Sequence, residues 1–111
     1  MRDGIYTVVF ESSLQALGEG IVVVSDGRIH GGDIAFTCRG YLRSPEMELE
    51  VSHYNEEIPS ALGIEGNYTL VMQYEEQEAG RYHFTGYVRE APERSLKAYA
   101  LYLEPLLDQR Q

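Results

Sequence analysis

The side chains best suited to chemistry in this 111-residue chain are three histidines, one cysteine and several runs of carboxylates. His30, His53 and His83 are too far apart for the i, i+2 or i, i+4 pairs that bring two imidazoles to one metal, and none stands in a ligand pattern with cysteine or carboxylate. Cys38 has no neighbouring histidine or basic motif to favour a thiolate. It shares the parity of Ile34 and Phe36 and reads as a small buried apolar residue. The carboxylates fall into the groups Glu46/Glu48/Glu50, Glu56/Glu57 and Glu75/Glu76/Glu78. Acid–base catalysis needs two carboxyls in different environments, one of them desolvated. These instead read as a polar strand face and a hairpin loop leading to Gly80. Asp33, after Gly31-Gly32, lacks the lysine and free amides of a phosphate cradle, so its side chain is expected to hold local backbone amides. No Ser/His/Asp order, nucleophile elbow or phosphate loop is present in the sequence. The residues predict a protein that is not an enzyme, with no cofactor and no metal.

Something must position these groups, and composition says what kind of body it is. With 43% hydrophobic residues the chain can bury a core as a single domain over 1–111. Nine tyrosines and no tryptophan lie within the apolar runs, each with a ring to bury and a hydroxyl that needs a partner. Eighteen acidic residues against nine basic give a net charge of −9. The close basic groupings, Arg39/Arg43 and Arg94/Lys97, are flanked by acids, so direct nucleic-acid binding and adhesion to an anionic membrane are not expected. An acidic surface suits a basic protein partner, or serves solubility alone. No signal peptide or membrane-span length is visible, which predicts a cytoplasmic protein.

Short β-type runs recur along the chain, separated by turn residues: Ile5–Glu11, Ile21–Ser25, Arg28–His30, Ile34–Leu42, Glu46–Tyr54, Asn67–Glu75 and Arg81–Arg89, with Ser95–Leu103 as a candidate eighth. Asp26-Gly27 is a tight-hairpin signal. Alternation assigns faces: Met47, Leu49 and Val51 inward against Glu48 and Glu50, then Tyr68, Leu70, Met72 and Tyr74, then Tyr82, Phe84 and Val88. The expected core is Phe10, Phe36, Leu49, Val51, Leu70, Met72 and Phe84. Ile5–Phe10 and Ile21–Val24 are apolar on both faces, which predicts a second covering layer, either a terminal helix or another subunit. Ile5, Val9, Ile21 and Val23 are the expected dimer contacts. Leu96, Tyr99, Ala100, Leu103 and Leu107 recur at helical spacing and, read alone, predict a helix. Between Tyr54 and Asn67, Pro59 and Gly63 predict a single helical turn.

About eight antiparallel strands in so short a chain must close on themselves or leave exposed edges. The expected fold is all-β, a small up-and-down β-barrel of lipocalin-like type. Phe36, Tyr68, Met72 and Phe84 are the expected lining, either filling the interior or walling a hollow.

Asp3-Gly4-Ile5-Tyr6, Gly18-Glu19-Gly20-Ile21 and Gly31-Gly32-Asp33-Ile34-Ala35, followed by Tyr54-Asn55, Glu57-Ile58-Pro59-Ser60, Leu62 and Leu103-Glu104-Pro105-Leu106, form an ordered set across nearly the whole chain. In that order they resemble the GrlR family, negative regulators associated with bacterial type III secretion. The resemblance implies a β-barrel used as a homodimer, and a strand rather than a helix over 95–104. It also implies a repressor that sequesters a basic transcriptional activator. The family's compact acidic run is replaced by Leu42-Arg43-Ser44-Pro45-Glu46, so the expected partner-binding acids are Glu46, Glu48, Glu75, Glu76 and Glu78. A non-catalytic protein-binding regulator is thus the leading expectation. The alternative is a carrier or sensor of a small apolar ligand held in the barrel.

Overall fold

A computed structural model describes residues 1–14, 17–60, 62–64 and 66–107, which form eight strands. They are β1 (Gly4–Ser12), β2 (Leu17–Ser25), β3 (Arg28–Gly32), β4 (Phe36–Arg43), β5 (Glu46–His53), β6 (Tyr68–Glu78), β7 (Arg81–Val88) and β8 (Ala91–Glu104). Every neighbouring pair is antiparallel, and β8 returns to β1 to close the barrel in simple sequence order. Closure leaves no free edge of the kind an open eight-stranded sheet would expose.

The alternation read from the sequence decides which side chains enter the barrel. Met47, Leu49 and Val51 are buried while Glu46, Glu48 and Glu50 are exposed, and Tyr68, Leu70, Met72, Tyr82, Phe84 and Val88 are buried in the same sense. Turn chemistry fixes the register at the hairpins. Asp26 (φ 52°) and Gly27 (φ 76°) both take the left-handed conformation that a two-residue hairpin requires, and they join β2 to β3 without slack. Phe10 lies directly across from Gly18, and its ring covers the glycine, a pairing that a side chain at position 18 would block.

Folding decides between the two readings of the carboxy-terminal run in favour of the strand that the resemblance implied, and it changes two other expectations. The carboxy-terminal run is a strand: β8 pairs with both β7 and β1, and its inward set is Leu96, Ala98 and Ala100. Local helical spacing loses here to two complete ladders of backbone hydrogen bonds, as tertiary pairing commonly overrides propensity. Glu75, Glu76 and Glu78 lie in β6, which runs to Glu78 through a register shift, and not in a hairpin loop. Between β5 and β6 the Gly63 amide donates to the Ser60 carbonyl at 3.1 Å, and the helical turn expected from Pro59 to Gly63 lies partly outside the described residues. Ile34 also departs from the parity of Phe36: it is exposed, because Asp33–Ala35 turn the chain before β4 begins.

Candidate functional site

The two ends of the barrel are built differently. Where β1, β7 begin and β8 ends, aromatic rings fill the interior. Tyr6 is wholly buried and packs edge-on against Tyr82 and Tyr102, with centroids 5.9 and 5.5 Å away. Tyr74 meets Tyr82 at 6.3 Å and Phe84 at 5.5 Å, extending the cluster inward. The Tyr6 hydroxyl donates to the Arg2 carbonyl at 2.7 Å, and the Arg2 guanidinium lies 3.9 Å from the Tyr102 ring centroid. Burial raises the ionisation of Tyr6 and Tyr82 above the usual tyrosine value, because the phenolate would lose its hydration.

Toward the opposite end most inward side chains are Val, Ile, Leu, Met and Ala, and together with Phe10, Phe36, Tyr68 and Phe84 they border a hollow of about 610 Å³ that opens to solvent. Phe36, Tyr68, Met72 and Phe84, the four residues expected to line the interior, all face it. So do Cys38 from β4 and Leu62 from the β5–β6 segment; the latter is buried and closes part of the end. Phe10 and Phe36 are only partly buried, since their rings border the hollow instead of filling it. The volume falls within the range of about 300–1,000 Å³ typical of pockets that take small organic ligands.

Hydrogen bonds hold the turns around this end. Asp33 Oδ1 accepts from the amides of Ala35 and Phe36, both at 2.8 Å, so the aspartate serves the backbone as its sequence position suggested. The Tyr54 hydroxyl donates to the Asp33 carbonyl at 2.6 Å, and Asn55 Nδ2 donates to the Ile34 carbonyl at 3.1 Å. His53 stacks on Phe36 at 4.4 Å between centroids, and its Nε2 lies 2.8 Å from the Ile58 carbonyl. This histidine ties the β5–β6 segment to the cavity wall. Cys38 is the one thiol, and burial, reinforced by the negative charge of Asp33, pushes its ionisation up to about 11. Among the described residues, no group of three or more His, Cys, Asp or Glu side chains is placed to hold a metal ion.

The acids proposed for partner binding lie along β5 and the end of β6, and several have local partners. Glu48 pairs with Arg89, and Glu78 with Arg81 at 3.8 Å. Glu76 accepts from the Gly80 amide at 3.2 Å and so supports its own hairpin. Glu46 lies opposite Gln73, one outward position from Glu75, and neither acid has an ion pair among the described residues.

The apolar contacts do converge. Ile5 lies opposite Val23, Thr7 lies between Ile21 and Leu101, and Val9 lies opposite Tyr99, all on the outer wall of β2, β1 and β8. Ile21, Val9, Tyr99, Leu101 and Leu103 are exposed there. By joining the sheet, β8 enlarges this outer apolar face instead of covering it. The pattern of two-sided apolar strands signalled the face, whereas its extension onto β8 was masked by the helical reading.

The architecture is that of a small, closed, antiparallel eight-stranded β-barrel with a partly hollow apolar interior. A solved structure of a redesigned β-barrel is similar to this chain at a TM-score of 0.61, with 12% sequence identity over 92% of this chain and 91% of that one. At that identity the likeness is one of fold. No protein-family model matches the chain, and no curated protein does, so the resemblance carried by the short motifs stands on those motifs alone. Among the described residues no helix is long and apolar enough to cross a membrane.

Proposed function

We propose that the protein binds a small apolar molecule inside the barrel, as a carrier or sensor. The observation that carries this reading is the cavity of about 610 Å³ walled by aliphatic and aromatic side chains. A core of ordinary density leaves few voids larger than a water molecule, so a hollow of this size needs a reason. An apolar cavity of this kind binds apolar guests readily, because water inside it lacks polar partners. Extraction of freshly purified protein into organic solvent, followed by mass spectrometry, tests the reading directly. A stoichiometric apolar compound is the expected result, and an empty extract from protein that also fails to take up apolar dyes would overturn it.

A second reading rests on a different surface. The outer wall of β2, β1 and β8 presents Ile21, Val9, Tyr99, Leu101 and Leu103 together, and a contiguous apolar patch of this kind suits a protein contact. This face supports a homodimer, and with the GrlR-like motifs it supports a regulator that captures an activator protein. Sedimentation equilibrium at micromolar concentration checks the dimer. A monomer throughout would remove the support that this face lends. The two readings are compatible, since one uses the inside of the wall and the other the outside.

A further inference from the structure

A short strap, Tyr54–Ser60, leaves β5 and runs along the open end of the barrel, where Ile58 and Pro59 border the hollow. Its first two residues are tied to the β3–β4 turn. The Tyr54 and Asn55 amides donate to the Ala35 carbonyl at 3.0 and 3.2 Å, the Tyr54 hydroxyl to the Asp33 carbonyl, and the Asn55 side chain to the Ile34 carbonyl. The next residues form a small turn of their own: the Ile58 amide donates to the Asn55 carbonyl at 3.2 Å and the Glu57 amide to Asn55 Oδ1 at 3.3 Å. At the far end Ser60 meets the Tyr68 side chain. Between these anchors, among the described residues, one hydrogen bond holds the strap to the wall. It runs from His53 Nε2 to the Ile58 carbonyl at 2.8 Å. A carbonyl oxygen only accepts, so Nε2 carries the proton. Stacking on Phe36, with ring planes 18° apart, fixes the imidazole, and Phe36 faces the hollow whereas His53 does not line it.

Resting on the proposed binding of an apolar molecule, we propose that His53 is the latch of a gate: the ligand enters and leaves when Ile58 and Pro59 lift from the rim, and the His53–Ile58 hydrogen bond sets how often they do. The uneven bonding of the strap carries this reading. Four hydrogen bonds hold its start on the β3–β4 turn, while one holds its middle. The turn built on Asn55 can lift as a unit, because its internal bonds survive the motion. A neutral hydrogen bond shifts such an equilibrium by a net factor of about two to ten, enough to favour the closed form and still let it open. A gate of this kind governs the rates of entry and exit. It leaves affinity nearly unchanged, since the latch bond is made alike with and without the ligand. His53 is therefore a positioning residue that acts through Ile58 and Phe36.

Stopped-flow mixing of the intact protein with the neutral fluorescent dye N-phenyl-1-naphthylamine separates entry from exit. In His53→Phe, which keeps a ring on Phe36 and removes the donor, both rate constants should rise about two- to tenfold while the dissociation constant stays within about twofold. In His53→Gln, whose amide nitrogen takes the place of Nε2, both rates should stay near those of wild type. Fast exchange in the Gln variant, whatever the Phe variant does, would overturn the hydrogen bond as the latch. Unchanged rates in both variants, or a rise in the exit rate alone, would overturn the gate and leave the cavity reading standing. Failure of the wild-type protein to bind the dye would overturn the cavity reading and the gate with it.

Discussion

One end of this barrel is closed by tyrosines packed edge to face, and the other is a hollow walled mainly by aliphatic side chains, with Phe10, Phe36, Tyr68 and Phe84 among them. The two are made from the same strands, with the same alternation of inward and outward residues, and they differ in what the inward positions carry. Tyr6, Tyr74, Tyr82 and Tyr102 reach the barrel axis and meet there. Val22, Val24, Cys38, Val51 and Ala98 are too short to do so, and the space between them stays open. Side-chain length at inward positions, more than strand number, divides the barrel into a filled end and a hollow end.

The sharpest way to break that division is to truncate each end in turn. Tyr82→Ala removes a ring that touches Tyr6 and Tyr74, and should destabilise the protein by about 3–5 kcal/mol, the usual cost of deleting a buried aromatic side chain. Leu70→Ala on the hollow wall should cost about 2 kcal/mol, at the low end for buried leucine, because the site already borders empty volume. Urea melts of both variants measure the difference. Equal losses would mean that the hollow end is as tightly built as the filled one.

Adding an apolar guest should affect the two variants unequally. A ligand at about a hundred times its dissociation constant stabilises the folded state by about 2.7 kcal/mol. Wild type and Tyr82→Ala should both gain this, whereas Leu70→Ala, whose wall contacts the guest, should gain less. Thermal melts with and without N-phenyl-1-naphthylamine, a neutral apolar dye, supply the comparison.

Titration reports on the buried tyrosines of both ends. Burial holds the folded-state ionisation of Tyr6, Tyr68 and Tyr82 above that of an unfolded tyrosine, near 10. Folding therefore favours the neutral phenol. That contribution is complete below about pH 10 and is lost as the pH rises through the folded values. The protein should unfold more easily in denaturant at pH 11 than at pH 8. Tyr6→Phe should show a shallower fall over the same interval, after allowing for about 1 kcal/mol lost at all pH values with the hydrogen bond to the Arg2 carbonyl.

The smallest effect concerns Cys38 at the hollow end. A thiol raised to about 11 is almost wholly protonated at pH 8, so alkylation should be much slower than in unfolded protein. An apolar guest in the cavity should slow it further, because Cys38 lines the wall. Iodoacetamide labelling followed by intact-mass measurement checks this, and a rate unaffected by the guest would place the guest elsewhere.

The sequence made the wall legible but not the space inside it. In β5 the alternation of Glu with Met, Leu and Val leaves one reading, and the strand, its faces and its partners follow from it. In β8 the inward set Leu96, Ala98, Ala100 has period two, yet Leu96, Tyr99, Ala100 and Leu103 also satisfy helical spacing. Only pairing with β7 and β1 decides between them. Phe36, Tyr68, Met72 and Phe84 were legible as interior residues from parity. Whether they touch or leave a gap depends on barrel diameter and on the lengths of side chains facing them from distant strands, which no local pattern encodes.

The central claim is that the open end of the barrel is a binding site for an apolar molecule, and one measurement addresses it most directly. N-phenyl-1-naphthylamine fluorescence should be titrated against wild-type protein and against Cys38→Phe, whose ring would project into the cavity from β4. The account expects saturable one-to-one binding to wild type and loss of at least about tenfold in affinity for the filled variant, with its thermal unfolding still cooperative. Dye binding that is unchanged by Cys38→Phe, or absent from wild type, would contradict it.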